Sequence, residues 1–336
     1  MGSDSDIVLS SRIRLARNIN GYRFPNAMGS EEAKKVINEC SGSILEGNST
    51  LANSFHLIEM SKLSSVDRTA MVESHLVSPV LIDNYENSAV LLNDDKTVSI
   101  MINEEDHIRL QVIFPGLQLD GAYELADKID DVIEERVDYA YNQKLGYLTA
   151  CPTNIGTGMR ASIMIHLPAL TMTRNMNGIL NAVTQVGLTI RGIYGEESDA
   201  QGNIYQISNQ ITLGLSEEEI ISNLTAVTKQ IIDKERAARK WLTKSNANAL
   251  EDTVWRSLGV LQNARILSNG ECLNLLSNVR FGIEVGIIDS IDLLTLNELM
   301  INTQPATLSK IEGQEVTESS VDIKRAEYVR EELKKR

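Results

Sequence analysis

Residues 89–93 and 97–103 are two apolar runs separated only by Asp94-Asp95-Lys96, and a third run follows at 108–114. Apolar runs joined by so short a polar turn read as a β-hairpin with a further strand behind it. The β-rich part of the chain starts there. Residues 122–137 then carry Leu125, Ile129, Val132, Ile133 and Val137 on one stripe, the spacing of a helix laid on a sheet. Further strands are predicted at 146–149, 159–167, 189–194 and 204–213, with a helix at 174–186 ending on Gly187. Ser216 and Glu219 form a capping box that opens a long helix through Ile220, Leu224, Val227 and Ile231. The first quarter reads as a short basic segment followed by helical stretches. Residues 251–336 read as a helical subdomain, with QPATLSKIEGQEVTESS as its most linker-like stretch.

Composition excludes several classes. The 336 residues are 42% hydrophobic and 23% charged, enough for one large domain or two modest ones. No apolar run reaches the ~18 residues of a membrane span, and MGSDSDIVLSSR lacks the regions of a signal peptide, so a cytoplasmic protein is expected. Cys40, Cys151 and Cys272 are irregularly spaced, which supports neither a disulfide framework nor a zinc site. A net charge of -14 disfavours a nucleic-acid partner. Any anion site must therefore be local.

No G-x-x-x-x-G-K-[ST] occurs, which removes the P-loop. Gly156-x-Gly158-x-x-Ala161 matches a degenerate dinucleotide fingerprint, but a strand-like run follows where a helix is required. What remains is scattered arginine. Arg12 and Arg14 stand at i, i+2 and share a face on an extended segment; Arg109 follows an acidic cluster, Arg160 a glycine turn, and Arg191 ends a strand. A converging set of planar guanidinium forks would grip a polyphosphate without a P-loop. Taken singly, each arginine more often sits solvated at the surface. The same holds for the acids Glu104-Glu105-Asp106 and Glu196-Glu197. Cys151 fits either a small buried hydrophobe or, before Pro152 and a turn with cations near, a thiolate. His75 and His166 read as packed more readily than catalytic.

SSRIR at 10–14, INEEDHIR at 102–109, CPTNIGT at 151–157 and RGIYGE at 191–196 together resemble the ATP:guanidino phosphotransferases, the family of creatine and arginine kinases. Order and spacing agree over roughly residues 8–215, and the resemblance is greatest to the bacterial protein-arginine kinases, to the end of the chain. It implies an α+β fold: an antiparallel sheet flanked by helices as catalytic domain over 1–215, extending to about 250, and a C-terminal helical domain over 251–336 for substrate recognition and dimerisation. It implies ATP with Mg²⁺, held by Ser10, Arg12, Arg14, Arg109, Arg160 and Arg191, with His75 stacking on adenine. Glu105 and Glu196 would hold and deprotonate the acceptor guanidinium, and Cys151 would tune it as a thiolate.

The departures bear on the substrate. Small-guanidine kinases carry an N-terminal helical domain that closes over a free amino acid, whereas this chain begins almost at SSRIR. An uncovered site suits arginine side chains of proteins. The resemblance further implies a homodimer, a possible activator protein and the Clp-type unfoldase ClpC as partners, with phosphorylated proteins marked for degradation under stress. A phosphoarginine-binding RDxxRA element corresponds to 321–326, where Val321 replaces the first arginine and Asp322 and Arg325 remain. The plain alternative for that stretch is a terminal amphipathic helix through Ile323, Ala326, Val329 and Leu333. Two other functions stay open: a small-guanidine kinase, and a non-enzymatic adaptor for a Clp unfoldase.

Overall fold

The computed structural model describes residues 2–46, 52–192, 200–313, 316, 317 and 319–335. Its strands are β1 (Val8–Arg17), β2 (Phe55–Glu59), β3 (Ala89–Asn93), β4 (Val98–Ile102), β5 (Ile108–Pro115), β6 (Tyr141–Asn142), β7 (Gly146–Tyr147), β8 (Met159–His166), β9 (Leu188–Gly192) and β10 (Ile204–Asn209). Eight of them form one sheet in the order β2-β3-β4-β5-β1-β8-β10-β9, and β6 pairs with β7 alone. The pairs β2/β3, β3/β4, β4/β5 and β1/β5 are antiparallel. The hairpin expected at 89–103 is β3 and β4, with Leu92 opposite Ser99 and Lys96 at φ 59° in the turn.

The first quarter corrects the sequence reading. Its basic segment is β1, a ten-residue strand between β5 and β8 near the middle of the sheet. A further strand, β2, stands where helical stretches were expected. The alternation in β1 explains its place: Ile13 and Leu15 are fully buried while Arg12 and Arg14 face the other way.

Four helices belong to this part: α1 (Ser30–Leu45), α2 (Ser65–Glu73), α3 (Pro79–Asp83) and α4 (Leu119–Glu134). The amphipathic stripe of α4 buries Leu119, Ala122, Ala126, Ile129 and Ile133 against β1 and β5, and α1 packs on α4. The buried Arg17 guanidinium pairs with Asp130 of α4 at 2.7 Å, which fixes which face of β1 the helix covers. A second core of Met60, Met71, Val77, Leu81, Val90, Leu92 and Met101 joins α2 and α3 to β3 and β4.

By its packing the chain divides into two compact units, one of residues 1–164, 184–189 and 207–228, the other of 165–183, 190–206 and 229–336. The expected boundary between about 215 and 250 is a division of the sequence; by packing, the chain passes between units inside β8, β9 and β10, within the helix Met176–Gln185 and again within a long helix. The second unit takes 165–183 and 190–206 because α5 (Pro168–Met172) and the turn at 201–203 pack on the helix Asn269–Glu284.

The remaining helices are α6 (Met176–Gln185), α7 (Glu217–Ser245), α8 (Ala247–Asn263), α9 (Asn269–Glu284), α10 (Leu293–Asn302), α11 (Pro305–Glu312) and α12 (Val321–Lys334). The capping box is present at α7: Ser216 N–H donates to Glu219 Oε2 at 2.8 Å and Glu219 N–H to Ser216 Oγ at 3.2 Å. The first half of the linker-like stretch is α11, with Pro305 at the first helical position and Leu308 buried.

A polar core holds the second unit. Glu235 accepts the N–H groups of Ala169 and Leu170 at 3.1 and 2.9 Å, and Arg239 links it to Glu284 with contacts of 2.9 and 2.8 Å. His166 lies within it, fully buried, with Nε2 2.8 Å from Ser277 Oγ. Burial lowers its pKa to about 4, so the imidazole is neutral and packed.

Candidate active site

The antiparallel register sets the site's floor. Arg14 lies opposite Gln111 and Ala16 opposite Arg109 across β1 and β5, so Arg12, Arg14, Arg109 and Gln111 share the face turned away from α4. Ser10 is on that face of β1 as well. On β8, the other neighbour of β1, Arg160 reaches Ser208 Oγ at 3.3 Å and Ser162 Oγ accepts from Arg12 Nε at 3.1 Å. Like charges so placed disfavour one another. Burial first, then Arg109 and Arg160, lower the pKa of Arg12 to about 10. Arg14 is lowered well below the ordinary value by burial, Arg12, Arg109 and Arg160, with Glu104 opposing. Arg14 Nε is buried without a hydrogen-bond partner among the described residues. A donor left so, among cations, suits an anion that has yet to bind.

The acids lie on the turn between β4 and β5, entered by Asn103 at φ 60° with its Nδ2 bonded to the carbonyls of Ala33 and Asn87 at 3.0 and 2.9 Å. The three carboxylates part company. Glu104 is buried and accepts from Ser78 Oγ and Arg109 Nη1. Burial pushes its carboxyl up, yet Arg109 and the hydrogen bonds outweigh that and its pKa is lowered. Asp106 is buried too, accepting from Asn18 Nδ2 at 2.6 Å and from Ala150 N–H at 2.7 Å, and burial raises its pKa. Glu105 alone is exposed. His107 anchors the turn's far end: Ile19 N–H donates to Nδ1 at 2.9 Å, so Nε2 carries the proton toward Arg23 O at 2.8 Å.

Residues 151–158 make the third wall. Gly158, at φ 64°, passes so close to β1 that a Cβ there would lie 2.6 Å from Ala16 O, and β8 starts at the next residue. The glycines thus lead into a strand, which disposes of the dinucleotide fingerprint. Thr212 braces the turn, its Oγ1 lying 2.9 Å from Thr153 O and 2.7 Å from Ile155 O. Cys151 Sγ is 3.0 Å from Thr153 Oγ1. A cavity of about 170 Å³ opens between these parts, lined among others by Arg14, Arg109, Arg160, Glu104, Glu105 and Cys151. Three guanidinium groups, an exposed carboxylate and a thiol share one pocket.

Two family models match. Residues 35–238 match the ATP:guanido phosphotransferase C-terminal catalytic domain, and 247–336 match the McsB protein-arginine kinase C-terminal domain. The chain belongs to the ATP:guanido phosphotransferase family. Among curated relatives, a protein-arginine kinase of Caldanaerobacter subterraneus is 53% identical, covering 99% of this chain and 98% of that one. One from Clostridium acetobutylicum is also 53% identical over 98% of this chain and 97% of its own. Among solved structures, a lombricine kinase superposes with a TM-score of 0.61 at 29% identity, over 70% of this chain and 68% of that chain.

The structure brings together most of the residues expected at the site, distant as they are in sequence. Arg12, Arg14, Arg109, Arg160, Glu105 and Cys151 meet in the first unit. His75, at φ 58°, adjoins them: Gln111 Nε2 donates to its carbonyl at 2.9 Å, and burial with Arg12 nearby lowers its imidazole to about 4. Arg191 is exposed on β9, in the second unit. Glu196 and Glu197 lie outside the described residues. Arg325 is buried, its guanidinium bonded to the carbonyls of Thr303 and Leu267 at 2.8 and 2.7 Å and to the Asp322 carboxylate. That favours the packed-helix reading of α12, which buries Ala326, Val329 and Leu333 but leaves Ile323 49% exposed. Sequence reading missed Ser162, Ser208 and Thr212. Isolated hydroxyl residues carry no local signal for such roles.

Proposed function

We propose that this guanido phosphotransferase is a protein-arginine kinase, moving the γ-phosphoryl group of Mg-ATP to arginine side chains of proteins. The observation that carries the reading is the cavity in which Arg14, Arg109 and Arg160 face the exposed Glu105 and Cys151. The 53% identity to protein-arginine kinases over nearly the whole chain and the matched C-terminal domain favour protein arginine over a small guanidine as acceptor.

Arg12, Arg14, Arg109 and Arg160 bind and orient the triphosphate and offset charge as the γ-phosphoryl transfers. An acceptor guanidinium is protonated and delocalised, hence a poor nucleophile. Glu105 holds the acceptor fork and takes its proton as the nitrogen–phosphorus bond forms and the bond to the ADP oxygen breaks. Cys151 faces the acceptor beside Thr153 Oγ1. Mg²⁺ would enter bound to the nucleotide's phosphates. His75 supplies a neutral ring for adenine; Arg191 and Glu196 are assigned by the family resemblance alone, the first to the phosphates and the second to the acceptor.

The wider reading follows from that activity: phosphoarginine as a mark for a Clp-type unfoldase in cytoplasmic protein quality control, with a homodimer and an activator protein. No described helix is long and apolar enough to cross a membrane. The test is incubation with Mg-ATP and casein or free L-arginine, with and without a cognate activator, read by neutral-pH mass spectrometry and ³¹P NMR. Phosphoarginine on casein but not on the amino acid supports the proposal. Label on free arginine alone makes the chain a metabolite kinase, and no label with activator present leaves an adaptor.

A further inference from the structure

A second cavity in the first unit, of about 430 Å³, shares the 151–158 turn with the active site but offers different chemistry. Gly156 and Thr157 line it, together with Tyr141, Tyr147, Glu134 and Glu217. Close backbone packing makes its floor. Tyr147 N–H donates to Gly156 O at 2.9 Å, and Thr157 N–H to Thr212 O at 3.2 Å. A Cβ on Gly146 would lie 2.3 Å from Gly156 O, so no side chain can fill the hollow from there.

The walls are acidic and aromatic. Glu134 ends α4 and Glu217 begins α7, and among the described residues no side chain of opposite charge lines the cavity. Among the described residues neither carboxylate has a hydrogen bond or ion pair. Tyr141 is 59% exposed and stands edge-on to Tyr147, ring centres 5.3 Å apart. Tyr147 already receives a guanidinium: Arg17 Cζ lies 3.5 Å from its ring centre. Burial, then Arg17 in opposition, and the acids Asp130, Glu134 and Glu217 leave the Tyr147 phenol raised. Two carboxylates border one hollow, and a cation entering it is attracted by both. Tyrosine faces beside carboxylates select a flat delocalised cation over a metal ion.

We propose that this cavity is a subsite for a second basic side chain of the protein substrate, arginine by preference, a few residues from the arginine being phosphorylated. The inference rests on the protein-kinase reading, because only a polypeptide acceptor brings a second guanidinium alongside the first. Substrates would thus be selected for clustered arginines.

The test uses peptides with one acceptor arginine and a second arginine moved through neighbouring positions, each paired with its alanine counterpart. Binding is measured by calorimetry and transfer by neutral-pH mass spectrometry, for wild type, E134Q/E217Q, Y141A and the control E251Q/E271Q. At the best spacing the second arginine should lower Kd and KM about five- to tenfold. E134Q/E217Q and Y141A should erase that gain while leaving kcat and the single-arginine peptide unchanged, and the control should keep it. No gain in wild type at any spacing, or loss of the gain in the control too, overturns the subsite even where transfer is normal. A gain in binding that depends on Glu134 and Glu217, without transfer to any peptide, supports the subsite and sinks the kinase reading instead.

Discussion

The backbone N–H of Glu105 donates to Oε2 of Glu104 at 2.9 Å. This bond, with those from Ser78 and Arg109, holds Glu104 inward as the buried counter-charge of the arginine face. The neighbouring carboxylate of Glu105 is turned out into the cavity. Adjacent acids of the same type thereby acquire separate roles.

Glu105→Gln should cut phosphoryl transfer by roughly 10²- to 10⁴-fold, the range for removing a positioned base. Because Glu105 is exposed, thermal unfolding should stay within a few degrees of wild type. Parallel turnover and melting assays check this, and undiminished turnover would remove Glu105 from the chemistry.

Glu104→Gln should act on stability. Its carboxyl is lowered in the fold, so the stability it contributes is present above its ordinary value of 4.5 and is lost as pH falls through the folded value. A loss of about 1–3 kcal/mol is expected at pH 7, shrinking toward pH 3, because the substitution leaves Arg109 without its buried partner. Urea unfolding across that range measures it; an equal loss at both ends would contradict the assignment.

Arg14→Met removes one of several mutually repelling cations, so the nucleotide-free protein should be no less stable than wild type. Wild type should gain about 2.7 kcal/mol at one hundred times the Kd of Mg-ATP. The variant should lose most of that gain. Thermal shifts with and without nucleotide decide, and a retained shift would place the phosphates elsewhere.

His166 has a folded pKa of about 4 against 6.5 for the free side chain. The unfolded chain therefore takes up a proton that the native state refuses, and stability falls as pH drops from 6.5 toward 4, by up to about 3 kcal/mol. His166→Gln should flatten that slope relative to wild type in unfolding titrations. Parallel slopes would mean that the imidazole is charged in the fold.

Local patterns carried the legible part of the fold. The hairpin at 89–103, the Ser216–Glu219 box and the shared face of Arg12 and Arg14 depend on residues within a few positions of one another. What depended on distant partners was not legible. Nothing in residues 8–17 says that they lie between β5 and β8, nor that Thr212 braces Ile155 fifty-seven positions earlier. The direction of Glu105 is set by Arg109 and Ser78 acting on its neighbour. Pro305 looks like a breaker but sits at the first position of α11, where its fixed φ and missing N–H cost nothing. The α12 stripe held at Ala326, Val329 and Leu333 and failed at Ile323, which stays half exposed.

The most direct measurement is transfer from γ-³²P-labelled Mg-ATP to a peptide whose sole phosphorylatable side chain is arginine, with the activator supplied and the product split between neutral and acidic work-up. The account predicts label that survives neutral conditions, is lost in acid and is absent with Glu105→Gln. Acid-stable label, or none on arginine while the protein still binds Mg-ATP, would contradict it.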